Sequence, residues 1–260
     1  MDFDLARIER ETFLSAIEFH DEIGSTNDRA LKVCDDSSII APRLILAERQ
    51  TAGRGRGVHR WWSHSGALTL SLVLDAADIP MPFENWPMIS LFAGLAVTET
   101  LAELASDESI RVKWPNDVYL GEKKICGILC EIPPSRPPRL VLGIGLNVNN
   151  SLRDAPPELL RTATSLTDET GLEHDRTEIL IRLLQHFERQ LQSFRSESSA
   201  PFLHLWSKRC LLTGRQVTHS SGDKRLLTGN CLGIDAQGAL LLETTQGIER
   251  LLGGTIVDWT

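Results

Sequence analysis

Gln50-Thr51-Ala52-Gly53-Arg54-Gly55-Arg56-Gly57, continued by Val58-His59-Arg60-Trp61-Trp62-Ser63, is the stretch around which the chain reads most coherently. Three glycines alternate with two arginines. The backbone can bend freely and approach a ligand closely, while two permanent cations present donor forks matched to phosphate or carboxylate oxygens. An anion could order such a segment. Before it, Leu44 to Glu48 reads as a short apolar strand; after it, Leu68 to Leu74 alternates at first and reads as another. A dinucleotide fingerprint would pass from the glycines into a helix, and a P-loop would end in Gly-Lys-Ser/Thr. Neither pattern is present. Alone, a glycine and arginine run is usually a solvated turn or a tail; the flanking strands and the Trp61-Trp62 pair argue against a disordered tail.

Composition narrows the class. The 260 residues suit one large domain and a small one, and a hydrophobic content of 42% supports a proper core. The formal net charge of −8 disfavours a polynucleotide partner and points the loop arginines at a small anionic ligand. Five cysteines, at 34, 126, 130, 210 and 231, are scattered, with no Cys-x-x-Cys pair and no His-Glu-x-x-His. They read as small core residues in a reducing compartment rather than zinc ligands. Met1-Asp2-Phe3-Asp4 is acidic, and the apolar run from Met88 to Val97 is too short to span a bilayer. The expectation is a soluble, cytoplasmic protein without a membrane partner.

Taken in order, residues Asp4 to Ala16 have helical spacing and Ile17 to His20 that of a strand. Ile23-Gly24-Ser25-Thr26-Asn27-Asp28 opens a helix through Val33, with Ser25 or Thr26 as N-cap; hydroxyls at a helix start also suit the polar end of a ligand. Pro80 to Pro87 reads as a loop and Met88 to Ala105 as a buried helix. Ile110 to Glu131 reads as strand, kink, strand, tight turn and strand, with Pro115 placing Lys113, Asn116 and Asp117 at the bend. Lys113 and Lys124 stand among apolar residues, where an ammonium needs a fixed anionic partner. Leu140 to Val148 is a strand whose Gly143 and Gly145 signal a bulge or a close approach. Helices follow at Thr164-Ser165-Leu166, Arg176 to Arg195 and Pro201 to Lys208. From Leu212 onward, short strands separated by Gly- or Asp-containing turns predict a small antiparallel barrel, with a boundary between Lys208 and Thr213.

Several separate segments together resemble the biotin protein ligases. They are Gly24-Ser25-Thr26-Asn27, the Gln50–Gly57 loop with Trp61, Lys113-Trp114-Pro115-Asn116-Asp117, Lys124 through Gly127-Ile128-Leu129, and Gly143-x-Gly145-x-Asn147. Their order and spacing fit from Glu18 to Asn149. The resemblance implies an α+β fold, with a mixed sheet and flanking helices of the class II aminoacyl-tRNA synthetase kind over residues 1–210. An SH3-like barrel would follow over 211–260. The sequence departs from the family at Gly57-Val58-His59-Arg60, where many relatives keep a more basic string, and at Gly24, which replaces a common aspartate. The stretch before the Ile17 strand is short for the helix-turn-helix of bifunctional members, so the resemblance implies a monofunctional ligase with no nucleic-acid partner.

The chemistry so implied has two steps: biotin and ATP give biotinyl-5′-AMP, and a lysine of a biotin carboxyl carrier protein then takes the biotinyl group. The carrier would belong to acetyl-CoA carboxylase or another biotin-dependent carboxylase. By resemblance Arg54, Arg56 and Lys124 supply positive charge at the α-phosphate. Lys113 supports the phosphate or acceptor step, and Asn116 and Asp117 position phosphates or the incoming amine. Biotin would meet Ser25, Thr26, Asn27, Gln50, Gly53, Trp61 and Gly127 besides Arg54, Arg56 and Lys124. The nucleotide would meet Arg54, Arg56, Asn116, Lys124, Gly143, Gly145 and Asn147, with Mg2+ held through ATP rather than by side chains. The loop is expected to be open without ligand and to fold over the adenylate, keeping water from the anhydride. An edge strand could pair two subunits into a homodimer. Two rivals are a lipoate–protein ligase of the same fold, disfavoured by Lys-Trp-Pro-Asn-Asp and the terminal barrel, and a non-catalytic biotin-sensing module, disfavoured by the charge.

Overall fold

The computed structural model describes residues 3–105, 109–196, 199–222 and 226–260. Its larger sheet has seven strands: β1 (Ala16–Ile23), β2 (Arg43–Gln50), β3 (Leu68–Asp75), β4 (Ile110–Lys113), β5 (Asp117–Leu120), β6 (Lys123–Glu131) and β7 (Arg139–Leu146). They lie in the order β1-β2-β3-β7-β6-β5-β4. β1 and β2 are parallel and all other neighbours antiparallel, so the sheet is mixed as expected. A parallel pair needs a crossover; here it contains α2 (Thr26–Val33), whose Ala30 and Val33, with the capping Cys34, pack on Ile45, Val73 and Val141. On the opposite face Leu44, Leu46, Leu68, Leu70 and Leu72 enter the main core beneath α3 (Ile89–Ala102) and α6 (Arg176–Ser196). Period-two alternation thus serves two apolar layers at once, which is why β3 is buried nearly throughout.

Three expectations change. The first helix, α1 (Leu5–Glu11), stops short of Ala16, because Thr12 Oγ1 donates to Ile8 O (2.7 Å) and Ser15 N donates to Pro42 O (2.9 Å), turning the chain into β1. The supposed loop before α3 contains a 3-10 turn, Phe83–Met88, that seats Trp86 in the core. An additional helix, α4 (Pro157–Thr162), precedes the Thr164 segment; it opens on Pro157 after Pro156, and proline in a first helical turn costs no hydrogen bond. The short α5 (Leu166–Thr170) follows its Ser165 cap, and α7 (Ala200–Arg209) covers the expected Pro201 to Lys208.

The C-terminal strands β8 (Gln216–Ser220), β9 (Leu226–Ile234), β10 (Leu240–Thr244), β11 (Gly247–Leu251) and β12 (Thr255–Trp259) form a five-stranded antiparallel unit in the order β11-β10-β9-β8-β12. Val217, Cys231, Leu240, Leu242 and Ile256 fill it. It docks against the Trp114 bend: the Trp114 indole donates to Gly238 O (3.0 Å) and Leu211 N donates to Val112 O (2.8 Å). Among the described residues no helix is long and apolar enough to cross a membrane.

Candidate active site

One register row of the large sheet builds the site. Thr69, Gly145, Gly127, Asp117 and Lys113 are successive cross-strand partners on β3, β7, β6, β5 and β4, and the adjacent row reads Ser71, Gly143, Leu129. Residues directly opposite one another share a face, so the glycines leave a trough flanked by polar and charged groups. The trough accepts side chains. A Cβ on Gly145 would lie 2.3 Å from Trp61 Cε2, one on Gly143 2.0 Å from Asn27 Oδ1, and one on Gly127 3.2 Å from Lys124 Nζ and Trp61 Cζ3. The close approach expected at Gly143 and Gly145 is therefore made by Asn27 and Trp61.

Strict alternation would turn Lys124 away from Gly127. A register shift prevents this: Val118 pairs with Cys126 but Tyr119 with Lys124, so Ile125 is the extra residue of a bulge. Bulges re-aim side chains, and here Lys124 Nζ reaches Asp117 Oδ1 at 2.6 Å and lies 6.0 Å from the Trp61 ring. Lys113, paired across the hairpin with Asp117, sits over the Trp259 ring at 4.4 Å and the Tyr119 ring at 5.9 Å. Burial lowers its affinity for a proton below that of an ordinary lysine; Asp117 opposes the shift and Lys124 adds to it.

The glycine and arginine stretch is a short hairpin rather than an open loop. Arg54 and Arg60 form an isolated bridge, Gly55 N donates to His59 O (2.8 Å), and Trp61 N donates to Gly53 O (3.0 Å). Its two arginines differ. Arg54 is held bidentately by Glu131 (3.1 and 2.7 Å), and its Nε pairs with Asp28 Oδ1 at 2.7 Å. Arg56 reaches across to the C-terminal unit and donates to Gly254 O (2.7 Å), a neutral acceptor. At the N-terminus of α2, Ser25 caps the helix, while Gln50 Oε1 accepts from Thr26 N (2.8 Å) and Thr26 Oγ1 (3.1 Å).

Of the expected site residues, all but Gly53 and Asn147 line a single cavity of about 840 Å³, which the C-terminal unit closes with Ser220, Ser221, Gly222, Gly254, Thr255 and Ile256. Gly53 is required by the hairpin, since its Cβ would stand 2.6 Å from Trp61 O. Asn147 is buried and occupied elsewhere: its Nδ2 donates to Thr164 O (2.9 Å) and its Oδ1 accepts from Asn150 (3.0 Å). The structure does not bring it to the cavity. Asn116 lines the wall while its Nδ2 donates to Ile128 O (2.6 Å). Trp61 offers an indole N–H that is shielded from solvent and has no acceptor among the described residues. Sequence reasoning missed Asp28, Ser71, Glu131, Gly254 and Trp259; only Glu131 carried a signal, as an acidic residue closing an apolar strand. Among the described residues no group of three or more His, Cys, Asp and Glu side chains is placed to hold a metal.

The family model described as "Biotin/lipoate A/B protein ligase family" matches residues 21–149, and the one described as "Biotin protein ligase C terminal domain" matches 213–257. The bifunctional ligase/repressor BirA of Bacillus subtilis is 34% identical over 243 residues, covering 92% of this chain and 72% of that protein. The chain belongs to the biotin protein ligase family. A biotin–[acetyl-CoA-carboxylase] ligase of Mycobacterium tuberculosis is 34% identical over 85% of this chain and 81% of its own length. Among solved structures, the biotin protein ligase of Aquifex aeolicus in complex with biotin and ATP superposes with a TM-score of 0.80 at 32% identity, covering 95% of this chain and 99% of that one. The mixed sheet and the antiparallel C-terminal unit are thus those of the biotin protein ligase fold.

Proposed function

We propose that this chain joins biotin to ATP as biotinyl-5′-AMP and passes the biotinyl group to a lysine of a biotin carboxyl carrier protein. One observation carries the assignment of residues: a single cavity is lined both by hydroxyl and amide groups at the start of α2 and by the cations Arg56 and Lys124. Biotin has that polarity, with a ureido ring, an apolar valeryl chain and a carboxylate. Ser25, Thr26 and Gln50 suit the ring, the Trp61 face over Gly127 and Gly145 suits the chain, and the carboxylate then points toward Lys124.

The first barrier is repulsion between an anionic nucleophile and a polyanion. A carboxylate oxygen attacks the α-phosphorus, the bond to the β-phosphate oxygen breaks, and pyrophosphate leaves. Preorganised cations stabilise the charge that accumulates on the phosphoryl oxygens. Lys124 is preorganised by Asp117, and Arg56 by a carbonyl that cannot neutralise it. With no side-chain cluster among the described residues placed to hold it, magnesium would be carried by the nucleotide phosphates and would supply positive charge to the leaving pyrophosphate. In the second step a neutral lysine amine attacks the acyl carbon, AMP departs and the amine sheds a proton. Asp117, already beside Lys124, is the group we assign to orient that amine.

We assign residues 1–210 to catalysis and 211–260 to the wall that closes the cavity. The acidic net charge of −8 favours a protein rather than a nucleic-acid partner, and the scattered cysteines favour a reducing cytoplasm. The decisive assay supplies MgATP with either biotin or lipoate and reads acyl-AMP by mass spectrometry, followed by transfer to a carrier domain. Biotinyl-AMP and a biotinylated carrier are expected. Lipoyl-AMP alone, or no adenylate, would overturn the reading.

A further inference from the structure

A chain of polar contacts leaves the hairpin at one end and returns to it at the other. Gln50 accepts from Thr26, whose Oγ1 lies 2.8 Å from Ser71 Oγ. Ser71 Oγ donates to Asn27 Oδ1 (2.6 Å), which fixes the orientation of that amide, and Asn27 Nδ2 donates to Glu131 Oε2 (2.8 Å). Glu131 completes the circuit by holding Arg54 with both oxygens (3.1 and 2.7 Å). Gln50 and Arg54 belong to the same stretch, so the polar end of the pocket and the root of the hairpin are parts of one ring. Asn27 can join it only because Gly143 has no Cβ.

An isolated ion pair at a partly exposed site carries little, but this one differs in two respects. It is a fork-to-fork pair, which fixes direction as well as distance. One Glu131 oxygen also serves Asn27, a group on the pocket wall. A second carboxylate, Asp28, lies 2.7 Å from Arg54 Nε as an ion pair. With two carboxylates against it, the guanidinium has no charge to spare for a phosphate.

Resting on the adenylating reading above, we infer that Glu131 is a positioning residue that ties the pocket to the hairpin, and that Arg54 anchors the hairpin through it instead of touching phosphate. Arg56 and Lys124 then carry the phosphoryl charge, and Arg54 matters by where it holds Arg56.

The test is a cycle of Arg54→Met, Glu131→Gln and the double variant, followed by single-turnover formation of biotinyl-AMP with biotin affinity measured in parallel. Each single change should slow formation by about 10- to 100-fold through misplacement, and the double variant should be no slower than the worse single, as for residues acting as one unit. Arg54→Lys, which keeps one charge on Glu131, should recover most of the rate with Glu131 present and none beside Glu131→Gln. Circular dichroism and thermal melting of every variant serve as the control for folding, and Arg54→Lys keeps the test readable should Arg54→Met fold poorly. Losses that multiply in the double variant, or an Arg54→Met defect of about 10²–10³ that Glu131→Gln does not share, would make Arg54 a phosphate ligand and overturn the inference. Rates unchanged in both singles would overturn it as well. A parent protein that forms no biotinyl-AMP would instead overturn the function on which the inference rests.

Discussion

The root and the tip of one hairpin carry the same side chain in opposite circumstances. Arg54, at the root, is enclosed by Glu131 and Asp28; two residues later Arg56, at the tip, rests on the uncharged Gly254 carbonyl of the C-terminal unit. Both follow a glycine and both are arginines, so local sequence makes them equivalent. The carboxylates that the fold delivers to one and withholds from the other make the difference. A motif of alternating glycine and arginine is therefore two devices, an anchor whose charge is already neutralised and a cation whose charge remains available.

That contrast can be broken at several points. The largest expected effects lie at the tip. Arg56→Met and Lys124→Met should each slow adenylate formation by about 10²–10³-fold, read by rapid quench with labelled ATP, while thermal melting stays close to the parent. Next comes the trough. Gly145→Ala places a methyl 2.3 Å from Trp61, so the indole must move. Overpacking of this kind costs about 1–3 kcal/mol, visible in thermal melts, and weaker biotin binding by calorimetry should accompany it. Biotin affinity equal to the parent's would detach Trp61 from the pocket.

Glu48 sharpens the root. Its carboxylate accepts from Ser65 Oγ (2.6 Å) just beyond the hairpin and from Arg176 Nη2 (2.8 Å) on α6. Burial alone would raise its pKa, but the Arg176 and Ser65 hydrogen bonds outweigh burial and leave it below the ordinary 4.5. A carboxylate depressed in the folded state contributes stability above the unfolded pKa and loses it as pH falls through the folded one. Glu48→Gln should thus cost about 1–2 kcal/mol at neutral pH, and the gap to the parent should close in denaturant melts taken below the ordinary carboxylate range. A gap independent of pH would show that the charge is irrelevant. The smallest effect is expected at the C-terminal wall: Trp259→Ala removes the ring 4.4 Å from Lys113 and should cost about 0.5–2 kcal/mol, with little change in the first step.

The backbone of this account was legible early. Strand alternation, the α2 cap and the short C-terminal strands each follow from periodicity and turn chemistry, and the sheet they form is mixed as the resemblance implied. The site was legible as a set of residues but not as roles. Lys124 points the right way only because of a bulge at Ile125, which no residue type announces. Asn147 stands in a glycine-rich strand and invites a ligand, yet Thr164 and Asn150 occupy its amide. Glu131 and Asp28 lie far from Arg54 in sequence; Asp28 has the look of a surface carboxylate, and Glu131, though it closes an apolar strand, gives no hint of which cation it meets. Long-range pairing decides which charges are neutralised, and that information resides in the fold.

The most direct measurement is a crystal structure of the protein with a non-hydrolysable biotinyl-AMP analogue, reading the surroundings of the two guanidinium groups. The account predicts Arg56 within hydrogen-bond distance of the phosphoryl oxygens, having left Gly254 O, with Arg54 still paired to Glu131 and Asp28. Arg54 on the phosphoryl group with Glu131 released, or Arg56 still on Gly254, would contradict it.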